Sequence, residues 1–369
     1  MIAVDTDRMV QSFLALVQID SVTYEERAII ERLAAELDAL GLPSSNDRTG
    51  RDGAGNLHVR FPGSRPDLPP IMLCAHTDTV EPGRGVKPVV RDGVIRTDGR
   101  TVLGADNKAS VAALLEAVRT ITQHNLPHRD VDLVLTWGEE RGHAGAVAFD
   151  AGRLTARMGV TMDDTRPPGH VTVSAPAYCS IHARFIGRAA HAGAAPEHGI
   201  NAIAAAAAAI GRMRLGRIDA ETTSNVGLIR GGTARNSVPG LAEIEAEARS
   251  RDNGKLAALV DSLRMALEDG ARSAGATVET TIKQEYAAYQ VSGDEAIARE
   301  AAGAITRAGL EPSLGVSGGG SDANTFNEKG IRCVNLAIGM TDIHTVNESI
   351  AVADLGKTAE IALALMTGA

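Results

Sequence analysis

Four short apolar segments, separated by stretches with helical periodicity, constrain the fold of this chain most strongly. Uninterrupted apolar runs of this length are typical of strands that are buried on both faces of a largely parallel sheet. The predicted strands cover residues 71–75, 131–137, 159–162 and 333–338. Helical patterns at residues 107–122 and 297–308 lie between these strands. Because strands that alternate with helices form layered sheets, the sequence predicts an α/β fold.

The length of 369 residues and the pattern of the central part both indicate two domains. A single hydrophobic core rarely grows beyond about 250–300 residues, so a chain of this length tends to divide. The central pattern predicts strand, helix, two strands, helix and strand, which is the order of a ferredoxin-like α+β unit. These elements are predicted at residues 179–186, 201–215, 224–229, 241–248, 255–273 and 277–284. We therefore predict a domain at 178–286, inserted between two parts of a catalytic domain at 1–177 and 287–369.

A capping box is predicted at the start of the first helix. Thr23 and Glu26 have the T-x-x-E spacing, and apolar residues recur at helical spacing after them. Gly41 follows the last of these apolar residues, and glycine in that place is typical of a helix end. We interpret this segment as scaffold.

Charge and cysteine content disfavour several classes of protein. Lys and Arg number 37 against 46 Asp and Glu, and the formal net charge of −9 disfavours binding to a nucleic-acid backbone. The three cysteines are scattered and form no CxxC pair, so we expect a reducing, cytoplasmic environment. No apolar run approaches the roughly 18 residues of a membrane span, and the N-terminal residues lack the basic character of a signal peptide. We expect neither a nucleic-acid nor a membrane partner.

Histidine and acidic residues follow each of the four predicted strands. In open α/β sheets, ligands and catalytic groups gather beyond the carboxyl ends of the strands. These residues are His76 and Asp78, Glu139 and Glu140, Asp163 and Asp164, and His344. His76 and Asp78 point the same way from an extended strand end, so Asp78 can hold one ring nitrogen of His76 while the other binds metal. Taken singly, H-x-D and E-E pairs are also common in solvated loops.

The order of the motifs is more specific than any one of them. Gly104-Ala-Asp106-Asn-Lys108 precedes a predicted helix and, by itself, could be an ordinary helix cap. In chain order, the motifs are H-T-D, G-A-D-N-K, W-G-E-E-x-G-x-x-G-A, M-D-D, S-G-G-G-S-D and I-H-T-V-N-E. This series resembles the M20 metallopeptidase family, in particular its peptidase T-like members, which are tripeptide aminopeptidases. The resemblance implies a zinc-peptidase-like catalytic domain with the insert as a lid and dimerisation domain.

The resemblance implies a centre with two zinc ions, for which Co²⁺ or Mn²⁺ could substitute. The matching ligand positions are Asp106 as the bridging carboxylate, His76 and Asp163 on one ion, and Glu140 and His344 on the other. Glu139 corresponds to the general base that activates water, and Asp78 corresponds to the partner of His76. A zinc pair about 3.5–4 Å apart can activate water and polarise the scissile carbonyl together.

Two details of this centre are also implied by the resemblance. The peptide bond between Asp106 and Asn107 is expected to be cis. Asp164 stands where peptidase T members usually have glycine, so the choice of Asp163 over Asp164 as the ligand depends on the register and stays open by one residue.

The implied substrate contacts lie mostly in the insert. The candidates are His191, Arg249, Asn236 and Gly319. A guanidinium binds a carboxylate through two parallel hydrogen bonds, so Arg249, ahead of Arg251, is the first choice for the carboxylate of a peptide. His191 could instead be a capping or surface histidine, and Asn236 and Gly319 could equally be ordinary turn residues. The family also implies a homodimer that forms through the lid.

The predicted function is hydrolysis of amide bonds in short peptides, with tripeptide aminopeptidase activity as the first choice. N-acyl amino acid amidohydrolase and carboxypeptidase activities stay open because the same family performs them with the same core, and a non-catalytic metal-binding or scaffold protein is a further alternative. A dehydrogenase is disfavoured because no G-x-G-x-x-G follows the first strand. A two-metal phosphoesterase would need more basic groups around the phosphate. His143 is close to the predicted site but matches no ligand position.

Overall fold

Helices and strands alternate through the described chain, as the α/β pattern of the sequence predicts. The structure is a computed structural model and describes residues 4–51 and 53–368. These residues divide into two units, each of which is compact. The second unit consists of Ala175–Gln290 and Gly318–Gly320, and the first unit contains the remaining described residues. Of the helices formed by these residues, none has both the length and the apolar character that crossing a membrane requires.

The helices and strands are labelled in chain order. The α-helices are α1 (Thr6–Val17), α2 (Arg27–Ala39), α3 (Ala105–His124), α4 (Ala144–Ala148), α5 (Ala202–Ile210), α6 (Asn253–Ser273), α7 (Ala296–Arg307), α8 (Asp322–Glu328) and α9 (Val352–Thr367). The strands are β1 (Ser45–Asn46), β2 (Leu57–Phe61), β3 (Ile71–His76), β4 (Pro88–Arg91), β5 (Val94–Thr97), β6 (Val131–Thr136), β7 (Met158–Asp164), β8 (His170–Ala175), β9 (Ala177–Ile186), β10 (Ala190–His191), β11 (Gly216–Arg217), β12 (Thr222–Gly231), β13 (Ser237–Val238), β14 (Leu241–Ser250), β15 (Thr277–Tyr286), β16 (Tyr289–Gln290), β17 (Ser313–Val316), β18 (Arg332–Ala337), β19 (Met340–Thr341) and β20 (Ser349–Ala351). Short 3₁₀ turns cover Glu139–Arg141, Ala151–Arg153 and Pro196–His198.

A central sheet in the first unit brings together the ends of the strands that carry acidic and histidine residues. Its strand order is β1-β2-β6-β3-β7-β18-β8, and β17 also pairs with β8. β3 pairs in parallel with β6 and β7, and β7 pairs in parallel with β18. These are the four strands predicted from the apolar runs, and all four are confirmed. Because they are parallel, their carboxyl ends meet at one edge of the sheet.

Helices pack on this sheet and complete the layered fold. α3 packs against β3, β7, α1 and α9, and α7 packs against β7 and β18. α3 has fully buried alanines at positions 109, 112, 113 and 117, and such small side chains allow neighbouring helices to approach closely. Arg8 of α1 donates a 2.6 Å hydrogen bond to Glu116, a buried carboxylate of α3. This ion pair ties the two helices together.

The second unit is a sheet with two helices packed on it. The strand order is β11-β12-β14-β9-β15, and α5 and α6 both pack against β9 and β14. Ala205, Ala206 and Ala209 of α5 are fully buried in its core, and a Cβ at Gly270 of α6 would meet Ala209 at 2.5 Å. The main strands and helices follow the predicted β-α-β-β-α-β order, except that α5 ends at Ile210 and not at residue 215. The use of this unit as a lid stays a prediction.

The predicted capping box is wrong. α2 begins at Arg27, and Glu26 stands at its N-cap position without a side-chain capping hydrogen bond. The Thr23 hydroxyl donates instead to the carboxylate of Asp78 at 2.8 Å. Gly41 does lie just beyond the end of α2, with a left-handed φ of 75°. A further helix, α1, precedes this segment, so α2 is not the first helix.

Candidate active site

The five predicted metal ligands lie together at the carboxyl edge of the central sheet. They are His76 at the end of β3, Asp106 at the start of α3, Glu140 in the 3₁₀ turn after β6, Asp163 near the end of β7, and His344 between β19 and β20. His76 and Asp106 are buried, and His344 is the most exposed member. Residues that are distant in the chain therefore form one cluster.

Asp106 is at the centre of this cluster. Its Oδ1 lies 2.9 Å from Nε2 of His76, and its Oδ2 lies 3.2 Å from Nε2 of His344. His76 Nε2 is also 3.5 Å from Oδ1 of Asp163, and His344 Nε2 is 2.9 Å from Oε1 of Glu140. One carboxylate thus presents a different oxygen to each of two histidines, which is the arrangement expected of a bridging ligand.

The donor atoms of the cluster fit divalent cations. Two sets have all their ligand atoms within 4.8 Å of one another, namely His76 with Asp106 and Glu140, and His76 with Glu139 and Asp163. Imidazole nitrogens combined with carboxylate oxygens suit zinc and related metals. If one of the three carboxylates is shared, each of two ions would have one histidine and two carboxylates as protein ligands.

The electrostatics of the cluster also favour a cation. Burial raises the pKa of Asp163 to about 8, and the charge of Asp106 adds to this effect. Burial and the charge of Asp163 raise the pKa of Glu139 well above its ordinary value. Hydrogen bonds to Asp106 and Glu140 raise the pKa of His344 to about 10. Burial opposes ionisation of Asp106, but hydrogen bonds from the two histidines hold its pKa below the ordinary value. Crowded carboxylates of this kind are stabilised when a metal supplies positive charge.

Asp78 connects His76 to the turn that carries the two adjacent glutamates. Its Oδ1 lies 3.2 Å from Nδ1 of His76 and accepts a 2.9 Å hydrogen bond from the backbone N–H of Glu139. Its Oδ2 accepts hydrogen bonds from the N–H of Glu140 at 3.3 Å and from the hydroxyl of Thr23. The predicted contact with His76 is present, and Asp78 also fixes the turn after β6.

Glu348 supports the segment that carries Asp106, a role that was not predicted from the sequence. This buried carboxylate accepts backbone hydrogen bonds from Leu103 at 2.7 Å, Gly104 at 2.8 Å and Asp106 at 2.9 Å. Burial raises its pKa to about 7. The sequence signal was its place at the end of I-H-T-V-N-E. The peptide bond between Asp106 and Asn107 is cis, as the resemblance implied.

Glu26 supports the start of the turn after β6. Its Oε1 accepts 3.0 Å hydrogen bonds from the backbone N–H groups of Tyr24 and Gly138. Gly138 has a left-handed φ of 62°, which glycine adopts without strain. Burial and the charge of Asp78 raise the pKa of Glu26 to about 7. Glu26 therefore holds the chain in position just before Glu139.

Asp163 lies in the cluster, and its neighbour Asp164 does not. Successive side chains of a strand point to opposite faces, so only one of the pair can face the ligands. Asp164 pairs with the guanidinium of Arg166 at 2.5 Å and accepts a hydrogen bond of the same length from the Thr172 hydroxyl. These contacts lower its pKa against the opposing effect of burial.

His191 and Asn236, two predicted substrate contacts, lie near each other in the second unit. The backbone N–H of Ala192 donates to the carbonyl oxygen of Asn236 at 2.9 Å. The exposed His191 accepts hydrogen bonds at Nδ1 from the N–H groups of Gly193 at 3.2 Å and Ala194 at 3.0 Å. His191 thus caps a turn, and its contact with substrate stays a prediction.

Arg249 and Gly319 also belong to the second unit. The guanidinium of Arg249 lies 4.5 Å from the ring centroid of Tyr178 and pairs with Glu247 at 3.1 Å. The contact with the aromatic ring and the ion pair with Glu247 together fix the plane of the guanidinium. Gly319 lies in the short segment Gly318–Gly320. Contact of either residue with substrate stays a prediction.

His143 lies against the predicted base. Its Nε2 is 3.3 Å from Oε1 of Glu139, and its Nδ1 is 3.2 Å from the hydroxyl oxygen of Thr325. The side chain is buried. His143 was predicted to be near the site but without a function, because it matches no metal-ligand position.

His58 and the three cysteines have structural surroundings. His58 Nε2 lies 2.9 Å from the buried carboxylate of Asp132. Cys74, Cys179 and Cys333 are free and buried. Burial raises the pKa of each thiol, which is the opposite of what a reactive cysteine requires.

Comparisons with known proteins show which family the chain belongs to. The family model of peptidase family M20/M25/M40 matches residues 72–368. The uncharacterized Bacillus subtilis protein YqjE is 40% identical over 366 residues, which are 98% of each chain. The crystal structure of aminopeptidase PepT from Bacillus cereus is 41% identical, with a TM-score of 0.89 over 99% of this chain and 98% of that one. A tripeptidase from Staphylococcus aureus is 37% identical, with a TM-score of 0.94 over the same shares. The chain therefore belongs to peptidase family M20/M25/M40 and is a hydrolase of peptide bonds.

Proposed function

We propose that this protein is a two-zinc aminopeptidase that removes the N-terminal residue from tripeptides, with Glu139 as the base. The central observation is that the two oxygens of Asp106 face His76 and His344 separately, with Glu139 beside His76 and Asp163. The likeness to an aminopeptidase and to a tripeptidase, over nearly the whole of each chain, supports the choice of substrate.

Peptidases of this family are metal-dependent. In our proposal, His76, Asp163 and Asp106 would hold one ion, and Glu140, His344 and Asp106 would hold the other. Zinc is the first choice, and Co²⁺ or Mn²⁺ could replace it. When bound, such a pair supplies positive charge that polarises the scissile carbonyl and lowers the pKa of water.

Glu139 moves the proton in the proposed reaction. Its carboxylate accepts a proton from the attacking water as the water oxygen bonds to the carbonyl carbon, and the same proton then passes to the departing amino group as the C–N bond breaks. Burial keeps Glu139 a stronger base than an exposed glutamate. The hydrogen bond from the backbone N–H of Glu139 to Asp78 fixes the main chain at the residue that carries the base.

The second unit supplies the proposed substrate contacts. Arg249 would bind the terminal carboxylate of the peptide through two parallel hydrogen bonds. His191, Asn236 and Gly319 would supply polar and backbone contacts.

A panel of matched tripeptides tests the proposal. With zinc bound, we expect release of the N-terminal residue from the free tripeptide and loss of cleavage when the N-terminus is acetylated. Cleavage confined to N-acylated amino acids would establish a deacylase, and release of the C-terminal residue would establish a carboxypeptidase. Binding of two metal ions without hydrolysis of any member would identify a non-catalytic protein.

We further propose a homodimer that forms through the second unit. Its sheet exposes four large apolar side chains, which are Ile186, Leu228, Ile229 and Leu241. Light scattering should give twice the monomer mass for the parent and the monomer mass for Leu228→Glu. A cytoplasmic location completes the proposal, since the buried cysteines stay reduced there.

A further inference from the structure

We propose that His143 is a positioning residue for the general base, and that it acts through the chain Thr325–His143–Glu139. This inference rests on the proposed function of Glu139. It adds a residue that orients the base without contacting metal or substrate.

The geometry places one imidazole between the base and helix α8. Nε2 of His143 lies 3.3 Å from Oε1 of Glu139, and Nδ1 lies 3.2 Å from Oγ1 of Thr325. The backbone N–H of His143 also donates to the carbonyl oxygen of Glu139 at 2.8 Å. His143 and Thr325 are both only 3% exposed, so water does not compete for these contacts. Both the main chain and the side chain of His143 therefore hold Glu139.

The surroundings of Glu139 explain why a hydrogen-bond donor is useful there. After burial, the charges of Asp163, Glu140 and Asp322 all raise its pKa, and the charge of His76 opposes them. These acidic neighbours repel the charge of the Glu139 carboxylate but do not fix the rotation of the group. We infer that the Nε2–H of His143, which lies 3.3 Å from Oε1, restrains this rotation and leaves the second oxygen for water.

This role requires one tautomer of His143. A carboxylate only accepts hydrogen bonds, so Nε2 must carry the proton that faces Glu139. In the neutral ring, Nδ1 is then an acceptor, and the hydroxyl of Thr325 donates to it. Thr325 is held in α8, which begins with a capping box formed by Ser321 and Asn324. The helix thus fixes the hydroxyl that selects the tautomer.

Two variants of nearly equal polarity separate positioning from simple packing. The amide nitrogen of Gln reaches the place of Nε2, whereas that of Asn reaches only the place of Nδ1. In His143→Gln, we expect kcat within about fivefold of the parent, and in His143→Asn, a loss of about 10- to 100-fold, as is usual when such a supporting contact is removed. KM and a zinc content of two should stay unchanged in both, because the contact acts on the chemical step.

Equal kcat values for the two variants would overturn the proposal, as would a loss of zinc from His143→Asn that accounts for its lower rate. Turnover of the free tripeptide by the parent tests the proposed function separately. Absence of tripeptide turnover in the parent would contradict the proposed function, whereas equal kcat values of the two variants would contradict only the role of His143.

The tautomer gives a test that does not depend on activity. Long-range ¹H–¹⁵N spectra of histidine-labelled zinc protein, assigned by difference from His143→Gln, should show the proton of His143 on Nε2. In Thr325→Val, the Nδ1 shift should change, and kcat should fall in the parent background but not in His143→Gln. A proton on Nδ1 in the parent would overturn the proposal.

Discussion

Replacement of Glu348 by Gln should weaken zinc binding although Glu348 is not a ligand. Its Oε2 accepts hydrogen bonds from the backbone N–H groups of Leu103 and Gly104, and its Oε1 accepts one from the N–H of Asp106. An amide keeps one oxygen and replaces the other by NH₂, so at least one of these N–H groups loses its acceptor. A hydrogen bond to a charged group contributes about 1.5–3 kcal/mol, and about 1.4 kcal/mol corresponds to a factor of ten.

We therefore expect Glu348→Gln to lower zinc affinity by roughly 10- to 100-fold, since Asp106 loses its fixed position. Competition with a chromophoric chelator at pH 8 measures the affinity, because the carboxylate is ionised above its raised pKa of about 7. Glu360→Gln, in a half-exposed pair with Lys357, is the matched control and should change little. Zinc affinity of Glu348→Gln equal to that of the parent would refute this account of the Asp106 segment.

Three further predictions concern separate parts of the molecule. Asp163→Asn should lose zinc and activity, whereas Asp164→Asn should keep two zinc ions by elemental analysis; the reverse pattern would show that the wrong aspartate is assigned. Burial opposes ionisation of Asp132, but hydrogen bonds, above all the one with His58, lower its pKa below the ordinary value. The ionised carboxylate therefore stabilises the fold above the unfolded carboxyl pKa of about 4, and this stabilisation is lost as the pH falls through the folded pKa. Asp132→Asn should therefore destabilise the metal-free protein by roughly 2–4 kcal/mol in urea at pH 7 and by clearly less at pH 3, and an equal loss at both values would contradict this. Arg249→Lys should raise KM for a free tripeptide by about tenfold but not for its C-amide, and an equal rise for both would exclude recognition of the carboxylate.

The parts of the fold that sequence could predict are those with strong local patterns. The four central strands are continuous apolar runs, and the chain positions of the ligands follow from the strands that precede them. In the second unit, α6 has clear helical periodicity, and α5 is a run of alanine, the best helix former. α5 ends at Ile210, just before Gly211, although apolar residues continue to Leu215. The sheet β19-β20-β5-β4 has short strands and partly exposed residues, so its pattern is too weak to predict.

The supporting residues of the site depend on partners far away in the chain. Thr23 and Glu26 fit a local helix cap, but their side chains contact Asp78 and the N–H of Gly138. Glu348 binds backbone N–H groups more than 240 residues earlier, which no spacing rule describes. The role proposed for His143 depends on the turn after β6, which brings its side chain against Glu139. Such contacts become visible only in three dimensions.

Glu139→Gln separates proton transfer, which we assign to Glu139, from metal binding, which we assign to the residues around it. Zinc content and tripeptide turnover should be measured on the same preparation, with Glu140→Gln as the neighbouring control. We expect Glu139→Gln to keep two zinc ions and to lose kcat by about 10²- to 10⁴-fold, whereas Glu140→Gln should lose a zinc ion. Turnover near the parent value in Glu139→Gln, with both ions in place, would contradict this assignment.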